Sequence, residues 1–334
     1  MGAMATSTKV APSPINQLLE VYRELEDQLP GPLEEPVAEF DGRHIDVGNR
    51  RLYVRQTPNF GGPHERDQRQ AVYVHGLGGA ARNWTDLMHL MSPIVAGIAP
   101  DLPGFGRTPM PADRDYSQRS YAQNVINLIE QQCNGQVDLF GNSMGGAIAT
   151  RVAALRPDLV RSLILVSPAL PNLRPRLSVT PLIAMTAPGI RHVARQVMDF
   201  DQAEIAVDRM HELCYLDSSK VNQTRRAIQI EETRWRMSIR GSGEALVQAA
   251  RGLARGFFPG PDNIWQFAKR VECPTLITFG THDKLVDSRL ADRAAATYPN
   301  AQVVTLHTGH VAQLEEPVRV AELVLQTWVQ MHVQ

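Results

Sequence analysis

The sequence predicts an α/β fold in which helices cover both faces of a mostly parallel β-sheet. Short apolar runs alternate with helical patterns between about residues 71 and 166, and the alternation resumes at about residue 275. Between these two regions the pattern is helical and rich in Met, Arg and Ala. A chain of 334 residues with 43% hydrophobic content is long enough for one large domain of this kind plus a helical insertion.

Charge and composition favour a small-molecule ligand. The 34 basic and 35 acidic residues give a formal net charge of −1, which excludes a global field that would attract nucleic acid. The three cysteines, Cys133, Cys214 and Cys273, are far apart and lack metal-ligand spacing, so we expect free thiols, no metal and a reducing, cytoplasmic compartment. A membrane span and a signal peptide are not predicted, because neither pattern is present. The sequence does not determine the oligomeric state, and a homodimer is compatible with it.

Three regions are predicted in chain order. Residues 1–36 form an N-terminal extension with an amphipathic helix, since apolar residues recur at helical spacing from 15 to 29 before Pro30. Residues 37–169 and 269–334 form the core, which starts with a hairpin around Gly48-Asn49. Residues 170–268 form a helical cap, or lid. A helical segment over the carboxyl end of a parallel sheet would roof the crevice in which such sheets bind ligands.

The remaining strands and helices are predicted from the spacing of apolar residues and from the residues that bound each run. Apolar runs bounded by glycine or polar residues predict buried strands at 71–74, 94–99, 163–166, 275–280 and 303–306. A further strand-like run begins at Val137 and leads into Gly141-Asn142-Ser143. Helical spacing predicts core helices at 121–129, 147–155, 288–298 and 317–331. It also predicts cap helices at 182–198, 202–215, 219–239 and 243–257.

The segment Gly141-Asn142-Ser143-Met144-Gly145 is a G-x-S-x-G sequence between a predicted strand and a predicted helix. A chain that turns sharply from strand to helix holds the turning residue at positive φ and needs small neighbours, which the two glycines supply. The Ser143 hydroxyl would project above the sheet edge, beside the free N–H groups at the start of the helix. Ser143 is therefore the predicted nucleophile.

A carboxylate and an imidazole follow the last two predicted strands. Asp283 comes soon after the strand that ends at Gly280, and His310 soon after the strand that ends near residue 306. A serine hydroxyl needs a base, and an imidazole serves when a carboxylate fixes its tautomer. We predict His310 as the general base and acid and Asp283 as its orienting partner. Asp287 is the competing acid, but it lies farther from the strand end and on the next predicted helix. His307 is the competing base, but it lies inside or just past a predicted strand.

Acyl transfer also needs two N–H donors for the developing oxyanion. The predicted donors are the N–H of Met144 and the N–H of Leu77 or Gly78, in the Gly-rich loop after the first buried strand. His75 in this loop is expected chiefly to order it by hydrogen bonding, and Trp84 to line the pocket or to pack. The residues predicted to surround the substrate are His75, Gly76, Gly78, Trp84, Asn142 and Trp235.

Five motifs in this order resemble those of the α/β-hydrolase superfamily. They are the His-Gly-x-Gly loop at 75–78, the Asp-x-Pro-Gly-x-Gly stretch at 101–106, the elbow at 141–146, Gly280-x-x-Asp283 and Gly309-His310. The resemblance covers about residues 68–170 and 270–334. It implies an eight-stranded, mostly parallel sheet with a helical cap after strand six. It also implies hydrolysis through an acyl-enzyme without a metal or an organic cofactor.

The residues of the elbow show which groups within the superfamily this chain resembles. Haloalkane dehalogenases and epoxide hydrolases of the superfamily carry aspartate where Ser143 stands. Asn142 and Met144 resemble the elbow of the meta-cleavage-product hydrolases, which break C–C bonds in dienoates. That group has a longer oxyanion loop that contains Gly-Pro, whereas this chain has Leu77-Gly78-Gly79 there. That group also has a tryptophan after the histidine, whereas this chain has Val311. We therefore expect hydrolysis of a small carboxylic ester first and C–C hydrolysis second. Two alternatives remain: an acyltransferase, and a ligand receptor that does not catalyse a reaction.

Overall fold

The computed structural model describes residues 37–62, 68–172 and 203–333. The helices predicted at 15–29 and 182–198 lie outside the described residues.

Eight strands form one sheet in the order β1-β2-β4-β3-β5-β6-β7-β8. The strands are β1 Gly42–Val47, β2 Arg50–Gln56, β3 Gln70–Val74, β4 Ala96–Pro100, β5 Val137–Asn142, β6 Val160–Val166, β7 Thr275–Gly280 and β8 Ala301–Leu306. Strands β1 and β2 form an antiparallel hairpin, β2 pairs antiparallel with β4, and the remaining pairings are parallel. The predicted eight-stranded, mostly parallel sheet is confirmed.

Helices follow most of the strands. They are α1 Thr85–Met91, α2 Gln118–Gln132, α3 Met144–Leu155, α4 Ala203–Cys214, α5 Gln223–Ser238, α6 Ser242–Arg255, α7 Ile264–Ala268, α8 Ala291–Thr297, α9 Ala312–Glu315 and α10 Pro317–Val333. Helix α1 was not predicted. Its end also explains why β4 starts later than the predicted strand: the N–H groups of Ile94 and Val95 both donate to the Met91 carbonyl and so close the helix.

The two faces of the sheet carry separate cores. Val72 and Leu139 lie in a cluster with residues of α2 and α3, whereas their neighbours Tyr73 and Phe140 lie in a second cluster with residues of α1 and α10. Successive side chains of a strand point to opposite faces, so each apolar run supplies both clusters. This explains why the central strands read as continuous apolar runs rather than as alternating patterns.

Four helices, α4 to α7, are described between β6 and β7, in the stretch predicted as the cap. We refer to residues 170–268 as the proposed cap. The proposed cap contacts the loops at the carboxyl ends of the parallel strands: the Arg236 guanidinium on α5 donates to the Gly78 carbonyl at 3.0 Å. Across the described ranges, every helix is too short or too polar to cross a membrane.

Candidate active site

Ser143 occupies a strained turn between β5 and α3. It adopts φ 54° and ψ −118°, a positive-φ conformation that residues other than glycine seldom adopt. The turn is sharp because the helix packs directly against the sheet: a Cβ on Gly145 would lie 2.1 Å from the Val74 carbonyl oxygen. The Ser143 side chain does not cap α3, so the helix does not engage its hydroxyl. The sequence predicted both this sharp turn and the need for a small residue at Gly145.

His310 and Asp283 form a buried pair. The His310 Nδ1–H group donates to Asp283 Oδ2 at 2.8 Å, and the two residues are 3% and 0% exposed. The other carboxylate oxygen, Oδ1, accepts the N–H groups of Leu285 and Val286 at 2.7 and 2.9 Å. Burial alone would raise the pKa of Asp283, but His310 and these N–H groups favour the carboxylate and bring the pKa below its ordinary value. The pair is therefore an imidazole held by an ionised carboxylate.

The loop that carries His310 lies against the Ser143 turn. The side-chain amide of Asn142, the residue before Ser143, donates to the carbonyls of His310 and Val166 at 3.1 and 3.0 Å. Asp287, the competing acid, caps the turn that begins at Ser288 and forms an ion pair with Arg289. The structure thus brings Ser143, His310 and Asp283 to one edge of the sheet and pairs Asp287 elsewhere.

The Gly-rich loop after β3 adjoins the same turn. A Cβ on Gly76 would lie 3.1 Å from the Ser143 Cβ atom, so the loop backbone passes directly beside Ser143. Gly78 has φ 76°, and the Gly79 N–H closes a turn on the Gly76 carbonyl at 3.1 Å. Met144 is the first residue of α3, so its N–H has no acceptor within the helix. These two segments are suited to stabilise an oxyanion beside Ser143.

His75 orders this loop through both ring nitrogens. Its Nδ1–H group donates to the Gly76 carbonyl at 2.7 Å, and its Nε2 atom accepts the Leu102 N–H at 2.9 Å. Complete burial lowers the pKa of His75 to about 4, so the ring is neutral at pH 7. The His75 ring therefore ties two backbone segments together, which is the main role predicted for it, and its complete burial does not fit the predicted contact with the substrate.

The two tryptophans assigned to the substrate lie in different environments. Trp84 is 0% exposed and packs on Tyr73 and Phe140 in the second core cluster. Of its two predicted roles, Trp84 therefore packs in the core and does not line the pocket, because the turn that carries it directs the ring into the core. Trp235 on α5 is 45% exposed, and the Arg107 guanidinium lies 5.9 Å from its ring centroid. A substrate-binding role for Trp235 stays a prediction.

Arg236 is a residue of this region that the sequence did not predict. Besides its bond to the Gly78 carbonyl, its guanidinium lies 5.6 Å from the Phe105 ring centroid. Burial lowers its pKa, and the carboxylates of Glu232 and Asp101 act in the opposite direction. Glu232 itself forms an ion pair with Arg82. Arg236 therefore brings a partly buried positive charge to the loop beside Ser143.

The chain is similar in sequence to one protein family and to known hydrolases. The family described as having the alpha/beta hydrolase fold matches residues 72–317. The 2-hydroxy-6-oxo-6-(2'-aminophenyl)hexa-2,4-dienoic acid hydrolase of Metapseudomonas resinovorans is 27% identical over 285 residues, 82% of this chain and 90% of that protein. The 2-hydroxymuconate semialdehyde hydrolase of Pseudomonas sp. strain CF600 is 25% identical over 266 residues, 76% of this chain and 84% of that protein.

Solved structures share the fold. A membrane phospholipase A superposes with a TM-score of 0.70 at 21% identity and covers 95% of this chain and 91% of its own. The 2-hydroxy-6-oxo-6-phenylhexa-2,4-dienoate hydrolase of Rhodococcus sp. strain RHA1 also superposes with a TM-score of 0.70, at 16% identity, over 87% of this chain and 99% of its own.

Proposed function

Because the chain belongs to the α/β-hydrolase family, we propose that it is a serine hydrolase that acts on a small carboxylic ester through an acyl-enzyme. One observation carries the proposal. The strained Ser143 turn lies against the loop that holds His310, and His310 is bonded to a buried carboxylate. A nucleophile, a base and an orienting acid at one sheet edge are the three groups that acyl transfer from an ester requires.

In this mechanism, His310 Nε2 takes the proton of the Ser143 hydroxyl as Oγ attacks the ester carbonyl carbon. The negative charge that develops on the carbonyl oxygen is stabilised by the N–H of Met144 and by the N–H of Leu77 or Gly78. Each donor is worth about 3 kcal/mol. His310 then gives the proton to the departing alcohol, and Asp283 stabilises the positive imidazolium in between. A water molecule hydrolyses the acyl-enzyme by the same steps in reverse order.

The test is a substrate comparison with the purified chain and its Ser143→Ala variant. The proposal predicts that p-nitrophenyl acetate or butyrate releases nitrophenol with a pre-steady-state burst equal to the enzyme concentration, and that the variant gives neither burst nor turnover. A long-chain ester and a ring-fission dienoate are measured in parallel. Equal ester turnover by the wild type and Ser143→Ala would contradict the proposal.

C–C hydrolysis of a carboxylate-bearing dienoate is the second candidate, and Arg236 favours it. The Arg236 guanidinium next to the Gly-rich loop supplies a partner for a substrate carboxylate, and guanidinium binds carboxylates strongly. The names of the two curated relatives describe hydrolysis of a dienoic acid and of a muconate semialdehyde. In the same substrate comparison, a kcat/KM for the dienoate at least tenfold above that for every ester would place this function first.

A further inference from the structure

The Glu315 carboxylate joins the loop that carries His310 to the end of helix α4 in the proposed cap. Its Oε1 atom accepts the N–H of Gly309, the residue before His310, at 2.8 Å. Its Oε2 atom accepts the N–H of Leu216 at 2.8 Å. Leu216 lies two residues beyond the end of α4. A single carboxylate thus holds two segments that are distant in sequence, with one oxygen on each.

The two segments also bond to each other directly. The His310 N–H donates to the carbonyl of Cys214, the last residue of α4, at 2.6 Å. Gly309 is packed on the same stretch, because a Cβ there would lie 2.4 Å from the Cys214 carbonyl oxygen. The backbone of His310 therefore rests on the carboxyl end of α4, and Glu315 fixes the amides on both sides of this contact.

Electrostatics oppose the placement of Glu315. Burial and the negative charge of Asp283 raise its pKa, whereas the N–H groups of Leu216, Gly309 and Val311 lower it. A half-buried carboxylate near another carboxylate is unfavourable unless it accepts good hydrogen bonds. The bonds to Gly309 and Leu216 supply this compensation. An uncharged side chain at this position would avoid the cost but would not hold both amides.

We propose that Glu315 is a positioning residue that sets His310 relative to Ser143 and couples this setting to helix α4 of the proposed cap. The inference rests on the proposed function, since it assigns His310 as the base. Loss of the carboxylate frees the Gly309 and Leu216 amides and leaves the His310 backbone held only by its bonds to the Cys214 carbonyl and the Asn142 side-chain amide. The expected consequence is a less well-placed imidazole, which lowers kcat more than it raises KM.

The experiment compares Glu315→Gln and Glu315→Ala with Glu316→Gln, a matched control at the exposed neighbouring carboxylate. Glutamine keeps the size of the side chain, but its NH2 group faces one of the two N–H donors. With a p-nitrophenyl ester we expect kcat to fall about 10- to 100-fold in both Glu315 variants, with KM within about threefold. The acidic limb of the pH profile of kcat/KM should also shift, whereas Glu316→Gln should match the wild type.

A second readout separates this inference from the proposed function. The His310 imidazole is titrated by NMR, and amide hydrogen exchange is followed at Gly309 and His310, in the wild type and in the same variants. If the wild type hydrolyses no ester, the proposed function fails, and a shifted His310 titration with faster exchange in Glu315→Gln still supports the positioning role. A wild-type titration, exchange rate and kcat in folded Glu315→Gln would overturn it.

Discussion

The imidazole of His310 lies 2.8 Å from the carboxylate of Asp283 because the two residues follow neighbouring parallel strands. Gly280 and Leu306, the last residues of β7 and β8, are direct partners in the sheet. The chain continues from each for only three or four residues before it reaches Asp283 and His310. Sheet register, rather than a long flexible loop, therefore determines this contact.

Asp283→Asn should lower kcat for an ester about 10³- to 10⁴-fold, because an amide no longer fixes the His310 tautomer or stabilises its positive charge. Asp287→Asn is the matched control, since Asp287 is equally buried but bonds to Arg289. Steady-state kinetics at pH 7.5 checks both variants. A larger loss in Asp287→Asn than in Asp283→Asn would assign the orienting role to the other carboxylate.

Arg236→Gln tests the second candidate function. If Arg236 binds a substrate carboxylate, kcat/KM for a ring-fission dienoate should fall about 10- to 100-fold, while that for a neutral short ester stays within about threefold. Arg240→Gln, at an exposed arginine four residues farther along the chain and just beyond the end of α5, serves as the control. An equal loss on the neutral and the charged substrate would show that Arg236 acts through the Gly78 loop instead.

Stability should fall as the pH drops from 6.5 towards 4 because of His75. Its folded pKa is about 4 and its ordinary value is 6.5, so the unfolded chain binds the proton first. This contribution is complete above pH 6.5 and lost once the pH passes below about 4. Between pH 7.5 and 5.0 we expect the wild type to lose about 2 kcal/mol more free energy of unfolding than His75→Asn.

Urea unfolding followed by circular dichroism at the two pH values measures this difference. His75→Asn is expected to be less stable at pH 7.5, since it loses the tie to Leu102, so the comparison concerns the pH dependence rather than the absolute stability. Identical pH dependence in the two proteins would mean that His75 does not titrate on unfolding.

The sequence was informative where local pattern and function coincide. Buried parallel strands appear as apolar runs, and Ser143, Asp283 and His310 follow the ends of three of them, so their placement at one sheet edge could be predicted without knowledge of tertiary contacts. The sequence left open whether Trp84 lines the pocket or packs, because proximity to the Gly-rich loop in sequence does not give the direction of a side chain. Arg236 and Glu315 were missed because their bonds to Gly78 and to Leu216 span 158 and 99 residues, and no local pattern encodes such contacts.

The most direct test of the central claim is mass spectrometry of the chain after reaction with a fluorophosphonate and, separately, after rapid acid quench with p-nitrophenyl butyrate. The account predicts one covalent adduct per chain on the peptide that contains Ser143 in both cases, and none in Ser143→Ala. Ester turnover by the wild type with no adduct at Ser143, or an adduct of equal yield at another residue in Ser143→Ala, would contradict it.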